Sequence, residues 1–237
     1  MANKVSQYLQ SSIGKKTVMA ATGLFLVVFL LEHLYTNVLL FFGDGGKAFN
    51  DASHGMVHSI IIRIIEVVLF VSIVLHVIQA LMLTGQNNKA RPVKYAVSGV
   101  SKTSSWFSRN MLLTGSIIFF FIVVHLYNFF VPYRVTGTVN GPEDPANNLA
   151  IAVAEALGDP MYAALYLVSV LFLAFHLNHG FQSAFQTAGL NNRRYAPLWK
   201  MAGSFLAFIV FGLGFASFPV LFYLSKVMEW DLLNWAK

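Results

Sequence analysis

Five stretches of this chain are long and apolar enough to cross a lipid bilayer as helix, and no other feature narrows its fold as far. A crossing takes about 20 predominantly apolar residues. The stretches run Val18 to Phe42, Val57 to Thr84, Ser108 to Val131, Met161 to Ala188, and Lys200 to Leu224. In lipid every backbone N–H and C=O must find a partner inside the protein, which restricts such segments to helices or closed barrels. Turn and cap residues fill the intervals: Gly43-Asp44-Gly45-Gly46, then Gly85 to Arg109, Tyr133 to Pro160, and Gly189 to Trp199. The expectation is an all-α integral membrane protein in which residues 1–237 form a single transmembrane domain. The first apolar run is too long for the core of a cleaved signal and follows Lys15-Lys16, so it is read as a retained helix.

Composition agrees. Only 11% of residues are charged and 57% are hydrophobic, where a soluble domain carries about 25% charge. With no cysteine, disulfides, thiolate metal sites, iron–sulfur ligation and a cysteine nucleophile are excluded within this polypeptide. The net charge of +6 does not point to nucleic acid, because the cations flank apolar runs instead of alternating with aromatic residues. Lys4, Lys15, Lys16, Lys89, Arg91, Lys94, Lys102, Arg109, Arg193, Arg194 and Lys200 fall on one side, which has no carboxylate. Asp44, Asp51, Glu143, Asp144, Glu155, Asp159, Glu229 and Asp231 fall on the other, and Glu32 and Glu66 lie within helices. The positive-inside rule puts the N-terminus in the cytoplasm and the C-terminus outside. Eleven cations without a local anion also suit an acidic docking partner, with Arg91, Lys94, Arg193 and Arg194 as the candidates.

An internal repeat supplies the chemistry. The first helix reads Thr22-Gly23, nine residues, then His33-Leu34-Tyr35; the third reads Thr114-Gly115, nine residues, then His125-Leu126-Tyr127. The second and fourth helices echo each other through His76 and His176 or His179, followed by Gly85 and Gly189. Two helix pairs therefore repeat around a shared interior, and the fifth helix, with Gly203, Gly212 and Gly214 but no histidine, packs outside them. Ionisable groups within a membrane are costly and mark function. A lone histidine is often a satisfied core residue; four helices with one each are not so easily explained. At 1.5 Å per residue, His33 and His125 lie about 22 to 26 Å from the inner end. His76 lies about 12 Å and His176 about 18 Å from it, so the four form an outer and an inner pair. Opposed imidazoles in an apolar bundle suit a six-coordinate haem b, which favours electron transfer over oxygen chemistry. Gly23 and Gly115, about 15 Å below the outer histidines, leave room for a porphyrin at the inner level, although helix packing alone also accounts for such glycines.

The runs Ala21-Thr22-Gly23-Leu24-Phe25-Leu26 to His33, Thr114-Gly115 to His125-Leu126-Tyr127, and Leu165-Tyr166-Leu167-Val168 to His176, Gly180 and Gly189 resemble the dihaem cytochrome b subunit, of cytochrome b558 type, found in bacterial succinate:quinone oxidoreductases and quinol:fumarate reductases. The resemblance extends over nearly the whole chain. It implies an anchor in the bacterial cytoplasmic membrane, carrying two haems b, that takes electrons from a flavoprotein through an iron–sulfur subunit and passes them to a quinone, with menaquinone the expected one. The dicarboxylate site would then lie on another chain. It further implies His76 and His176 as axial ligands of the proximal haem and His33 and His125 as those of the distal haem, with Gly23, Gly115 and Gly180 packing against them. The choice of His176 over His179 rests on the family's glycine four residues after the ligand, whereas depth alone slightly prefers His179.

Around the distal haem, Asp51, His58 and Glu66 are candidate quinone residues, and Arg63 is a candidate partner of a haem propionate. The bland alternative pairs Arg63 with Glu66 along one helix. His54 and His58 are read chiefly as solvated interfacial residues. Glu32 faces a neighbouring helix or a proton path. Some fumarate-reducing relatives have a glutamate two residues before the fourth-helix ligand where this chain has Ala174, which favours succinate oxidation. The competing readings are a quinol:fumarate reductase, the dihaem cytochrome b of nitrate reductase, formate dehydrogenase or hydrogenase, and a haem-free transporter with proton-relaying histidines.

Overall fold

The structure, a computed structural model, describes residues 3–89, 109–144 and 147–234. Among the described residues five helices are long and apolar enough to cross a membrane: α1 (Ser12–Phe41), α2 (Ile60–Lys89), α3 (Met111–Thr136), α4 (Pro160–Thr187) and α5 (Ala196–Val227). Their flanks are largely exposed isoleucine, valine, leucine and phenylalanine, such as Val28, Ile61, Ile64, Val67, Phe120 and Leu171. This is the surface a lipid-facing bundle presents, because lipid tails are no less apolar than these side chains. The described residues form no strand beyond a single bridge between Asn140 and Asn148.

Within the bundle α1 packs on α2 and α4, and α3 packs on α4, while α2 and α3 touch little. The fifth helix lies against α4 and α1, where its glycines admit close approach. A Cβ at Gly212 would stand 3.5 Å from that of Ala174, and one at Gly214 would stand 3.0 Å from Leu34 Cδ2. At Gly203 a Cβ would come within 2.8 Å of the Phe181 ring. The expected peripheral fifth helix is therefore present, with those three glycines as its contacts.

Three membrane helices depart from a continuous α-helix, α1 only at its end, where Leu39–Phe41 form a 3₁₀ turn. The α-helical part of α3 ends at His125 and continues as π-helix over Leu126–Thr136, which contains Pro132. Proline has no N–H for the α-helical ladder, so a wider turn is a way to continue past it. In α5 the middle section, Phe205–Leu213, is π-helical and faces α4.

The largest departures from the sequence reading lie at the end that the expected orientation makes the outer one. The expected second helix from Val57 is two elements: a short helix Lys47–His58, then α2 from Ile60, with Ser59 extended between them (φ −82°, ψ 122°). His58 thus closes the short helix and does not belong to the membrane span. The stretch from Tyr133 to Pro160, read as loop, contains the helix Leu149–Gly158. Asn148 caps its start by accepting from Ile151 N–H at 3.2 Å, and Asp159 caps α4 by accepting from Met161 and Tyr162 N–H at 2.9 and 3.1 Å. At ten residues this helix is far too short to span, but Ala150, Val153 and Leu157 are buried against Leu40, Phe49, Phe218, Phe222, Leu232 and Leu233. The outer end of the bundle is consequently covered by packed side chains.

Candidate functional site

Four of the helix histidines, one from each of α1 to α4, meet as two pairs. His76 of α2 faces His176 of α4, with ring centroids 6.3 Å apart and planes at 66°. His33 of α1 faces His125 of α3, at 5.7 Å and 89°. Among the described residues no ring contact joins His179 to His76, so the ring that opposes His76 is that of His176. All four are half-buried within the apolar bundle.

The inner pair is braced by the Thr-Gly steps of the other two helices. Thr22 Oγ1 lies 3.1 Å from His76 Nδ1, and Thr114 Oγ1 lies 3.3 Å from His176 Nδ1. Each hydroxyl donates backwards along its own helix, Thr22 to Val18 O at 2.9 Å and Thr114 to Met111 O at 3.0 Å. The adjoining glycines face the same rings: a Cβ at Gly23 would stand 3.3 Å from His76 Cε1 and one at Gly115 3.5 Å from His176 Cε1. These glycines therefore make room for the imidazoles themselves, a more specific role than leaving space at that level. At Gly180 a Cβ would meet nothing within 4 Å.

The same contacts fix the levels. Gly23 touches the inner pair and His33 lies ten residues further along α1, about 15 Å away by helical rise. Gly115 and His125 repeat this on α3. Aromatic rings surround the outer pair: Phe29 stacks on His33 at 5.5 Å, Phe215 of α5 lies 5.8 Å from it, and Phe121 and Phe129 lie 5.7 and 5.4 Å from His125. Tyr166 of α4 places its hydroxyl 3.2 Å from His125 Nδ1. Phe29 and Phe121 each precede their histidine by four residues, so the repeat itself could have shown them; Tyr166, from another helix, had no such signal.

The donor set fits a haem. Two metal–imidazole bonds of about 2 Å each span roughly 4 Å between ring nitrogens, and centroids near 6 Å apart leave that distance once half of each ring is taken off. Among the described residues no three histidine or carboxylate side chains converge, so each pair can provide two axial ligands but not a closed tetrahedral site.

At the outer ends of α2 and α3, Arg134 donates to Glu66 at 3.4 Å, with both side chains largely covered, and Phe70 meets Phe130 edge-on at 5.4 Å. The helical Arg63–Glu66 pairing is not formed. Arg63 instead turns its Nε toward Val57 O at 3.5 Å. Sequence offered no route to Arg134, since it approaches Glu66 only through the packing of two helices. Asp51 accepts from Lys47 one turn away on the exposed short helix and holds that ammonium above its usual pKa. His54 and His58 pack on each other at 4.3 Å, and Glu32 accepts from Thr36 Oγ1 at 2.8 Å. Arg91 and Lys94 lie outside the described residues, as does Lys102.

With the geometry in place, comparison with known proteins is informative. The family described as succinate dehydrogenase/fumarate reductase transmembrane subunit matches residues 87–211, just over half of the chain. The chain belongs to that family. It is also 24% identical over 187 residues to the succinate dehydrogenase cytochrome b558 subunit of Bacillus subtilis (strain 168), covering 78% of this chain and 82% of the relative. No solved structure matches. As a member of the family, the chain is a multi-pass cytochrome b of a succinate dehydrogenase-type complex, and membership implies further subunits.

Proposed function

We propose that this chain anchors a succinate dehydrogenase in the bacterial cytoplasmic membrane and links its iron–sulfur subunit to menaquinone through two haems b. The observation that carries the proposal is the meeting of four histidines from four helices as two opposed pairs, one above the other, in a chain of this family. His76 and His176 would hold the proximal haem, and His33 and His125 the distal one. When bound, the two haems would supply one-electron transfer along the bundle, from one histidine level to the other. The protein holds the ligand rings in place, with hydroxyls at the proximal pair and chiefly aromatic packing at the distal pair, and the cap of short helices keeps water from the distal level.

Orientation follows from charge. Lys15, Lys16, Lys89, Arg109, Arg193 and Arg194 flank the inner helix ends, beyond the proximal pair, so that end faces the cytoplasm and the acidic caps face outward. The iron–sulfur subunit, with the flavoprotein behind it, docks at the basic end. Succinate chemistry belongs to those partners.

The quinone site is assigned to the outer mouth of α2 and α3. Glu66 precedes His76 by ten residues, as Tyr166 precedes His176, which puts Glu66 at the distal level. Its carboxylate is the group able to hold or release a proton there, and Arg134 steadies it. Asp51 and His58 belong to the margin of this mouth. At position 174 a buried alanine packs on α5, so no titratable side chain at that point couples proton movement to the reverse reaction, which favours succinate oxidation over fumarate reduction.

Purification of the complex tests this directly. A reduced-minus-oxidised spectrum with a haem b α-band, co-purification of flavin-bearing and iron–sulfur subunits, and succinate-dependent menaquinone reduction are expected. A haem-free preparation would rule out the cytochrome reading. Haem without those two partners would assign the chain to a different respiratory complex.

A further inference from the structure

The inner histidines have a hydrogen-bonding arrangement that the outer pair lacks, and it arises twice. A threonine hydroxyl has one proton and two lone pairs. Thr22 directs that proton at Val18 O, 2.9 Å away, with Met19 O at 3.1 Å, and Thr114 directs its own at Met111 O, 3.0 Å away. What each oxygen then presents to the nearby imidazole is a lone pair. A neutral imidazole carries one N–H, and the hydrogen bond made by one ring nitrogen decides which tautomer is present. Both histidines are therefore held with the proton on Nδ1, leaving the lone pair of Nε2 free.

We propose that Thr22 and Thr114 are positioning residues for the proximal haem, each accepting the Nδ1–H of the inner histidine on the neighbouring helix so that Nε2 would be the nitrogen left to bind iron. The inference rests on the dihaem reading above and adds the source of ligand orientation and of redox tuning. Each helix pair carries a complete unit: α1 supplies the hydroxyl and the glycine for His76 of α2, and α3 supplies them for His176 of α4. The hydroxyl holds one edge of the ring while the adjoining glycine leaves its Cε1 uncrowded. An acceptor on the distal nitrogen of a metal-bound imidazole fixes the ring and raises its basicity. A more basic ligand stabilises ferric over ferrous iron, so these bonds hold the proximal potential down.

The test uses the full complex, purified with all subunits. Thr22→Val and Thr114→Val, singly and together, remove the hydroxyl at nearly constant volume, and Thr22→Ser and Thr114→Ser retain it. Each is read by potentiometric titration of both haems and by the low-spin ferric electron paramagnetic resonance signals. The valine variants are expected to raise the proximal potential and shift its signal. Thr114→Val should act more strongly than Thr22→Val, because His76 keeps the Met19 backbone carbonyl as a second acceptor, and the distal haem should not move. Serine should restore wild-type values. Loss of the proximal haem in a valine variant but not in its serine counterpart would support the same role. Unchanged proximal potential and signal in the double valine variant would overturn it, and so would equal losses in the serine and valine variants. A wild-type complex without two haems would remove the dihaem reading itself, and that result is visible before any variant is made.

Discussion

The two histidine pairs are alike in number and helical origin but differ in what surrounds them. At the inner level the rings are fixed by polar contacts of the repeat, Thr22 and Thr114 on Nδ1 with Gly23 and Gly115 beside them. At the outer level Phe29, Phe121, Phe129 and Phe215 crowd the rings, and among the described residues the one hydroxyl on a ring is that of Tyr166 on His125. The inner environment hydrogen-bonds its ligands nearly symmetrically, whereas the outer one is apolar and lopsided. Hydrogen bonds to the ligand rings and burial are among the main levers a protein has on haem potential, so haems held at the two pairs, as proposed, would differ in potential with the same ligand type.

The largest effect that can break this comparison comes from the ligands. Alanine at His76 or His176 is expected to remove the proximal haem and leave the distal one, alanine at His33 or His125 the reverse, and each to abolish quinone reduction. Pyridine haemochrome assay of the purified complex reads this as one haem per chain in place of two. Retention of both haems in His176→Ala would transfer the ligand role to His179.

Steric changes at the glycines sharpen the distinction between levels. Gly23→Val places a branched side chain where even a methyl stands 3.3 Å from the His76 ring, and it should lower proximal haem content with the distal haem spared. Gly115→Val, starting from 3.5 Å, should do so less. Equal loss of both haems would show that these glycines serve packing of the whole bundle.

At the outer mouth, Glu66→Gln is expected to cut quinone turnover about 100-fold, in the lower range for loss of an acid–base group, while both haem spectra persist. Arg134→Gln should fall between that and wild type. Asp51→Asn, whose carboxylate is engaged by Lys47 on an exposed face, should change turnover least. Steady-state menaquinone reduction measures all three, and full activity in Glu66→Gln would move the site away from α2. The smallest expected effect is that of Tyr166→Phe, which removes one hydroxyl from His125 Nδ1. The distal potential should shift slightly and the proximal one should not, as a redox titration would show.

How much of this was legible in the sequence depended on which force set each feature. Bilayer thickness imposes long apolar runs, so all five spans could be read, although their ends moved by several residues. The histidine pairing was readable because helical rise turns sequence spacing into depth, and the Thr-Gly repeat tied the two halves together. The break at Ser59 did leave a mark, since serine is a favoured N-cap and Ser59 Oγ accepts from Ile62 N–H at 3.4 Å at the start of α2, but the apolar run after it drew the boundary earlier. The helix Leu149–Gly158 was missed because it is too short to span and is stabilised by packing on Leu40, Phe218 and Phe222, which come from distant parts of the chain. The Glu66–Arg134 pair was missed for the same reason: helix packing joins the two residues, while local spacing suggested Arg63.

The most direct test of the central claim is low-spin ferric electron paramagnetic resonance of the purified wild-type complex, combined with haem quantification and redox titration. Two haems b per chain are expected, titrating at separate potentials and giving two strongly anisotropic signals, since neither pair of ring planes is near coplanar. The outer pair, at 89° against 66° for the inner, should give the larger g value. A single haem per chain, or a signal from five-coordinate high-spin iron at either site, would contradict the account.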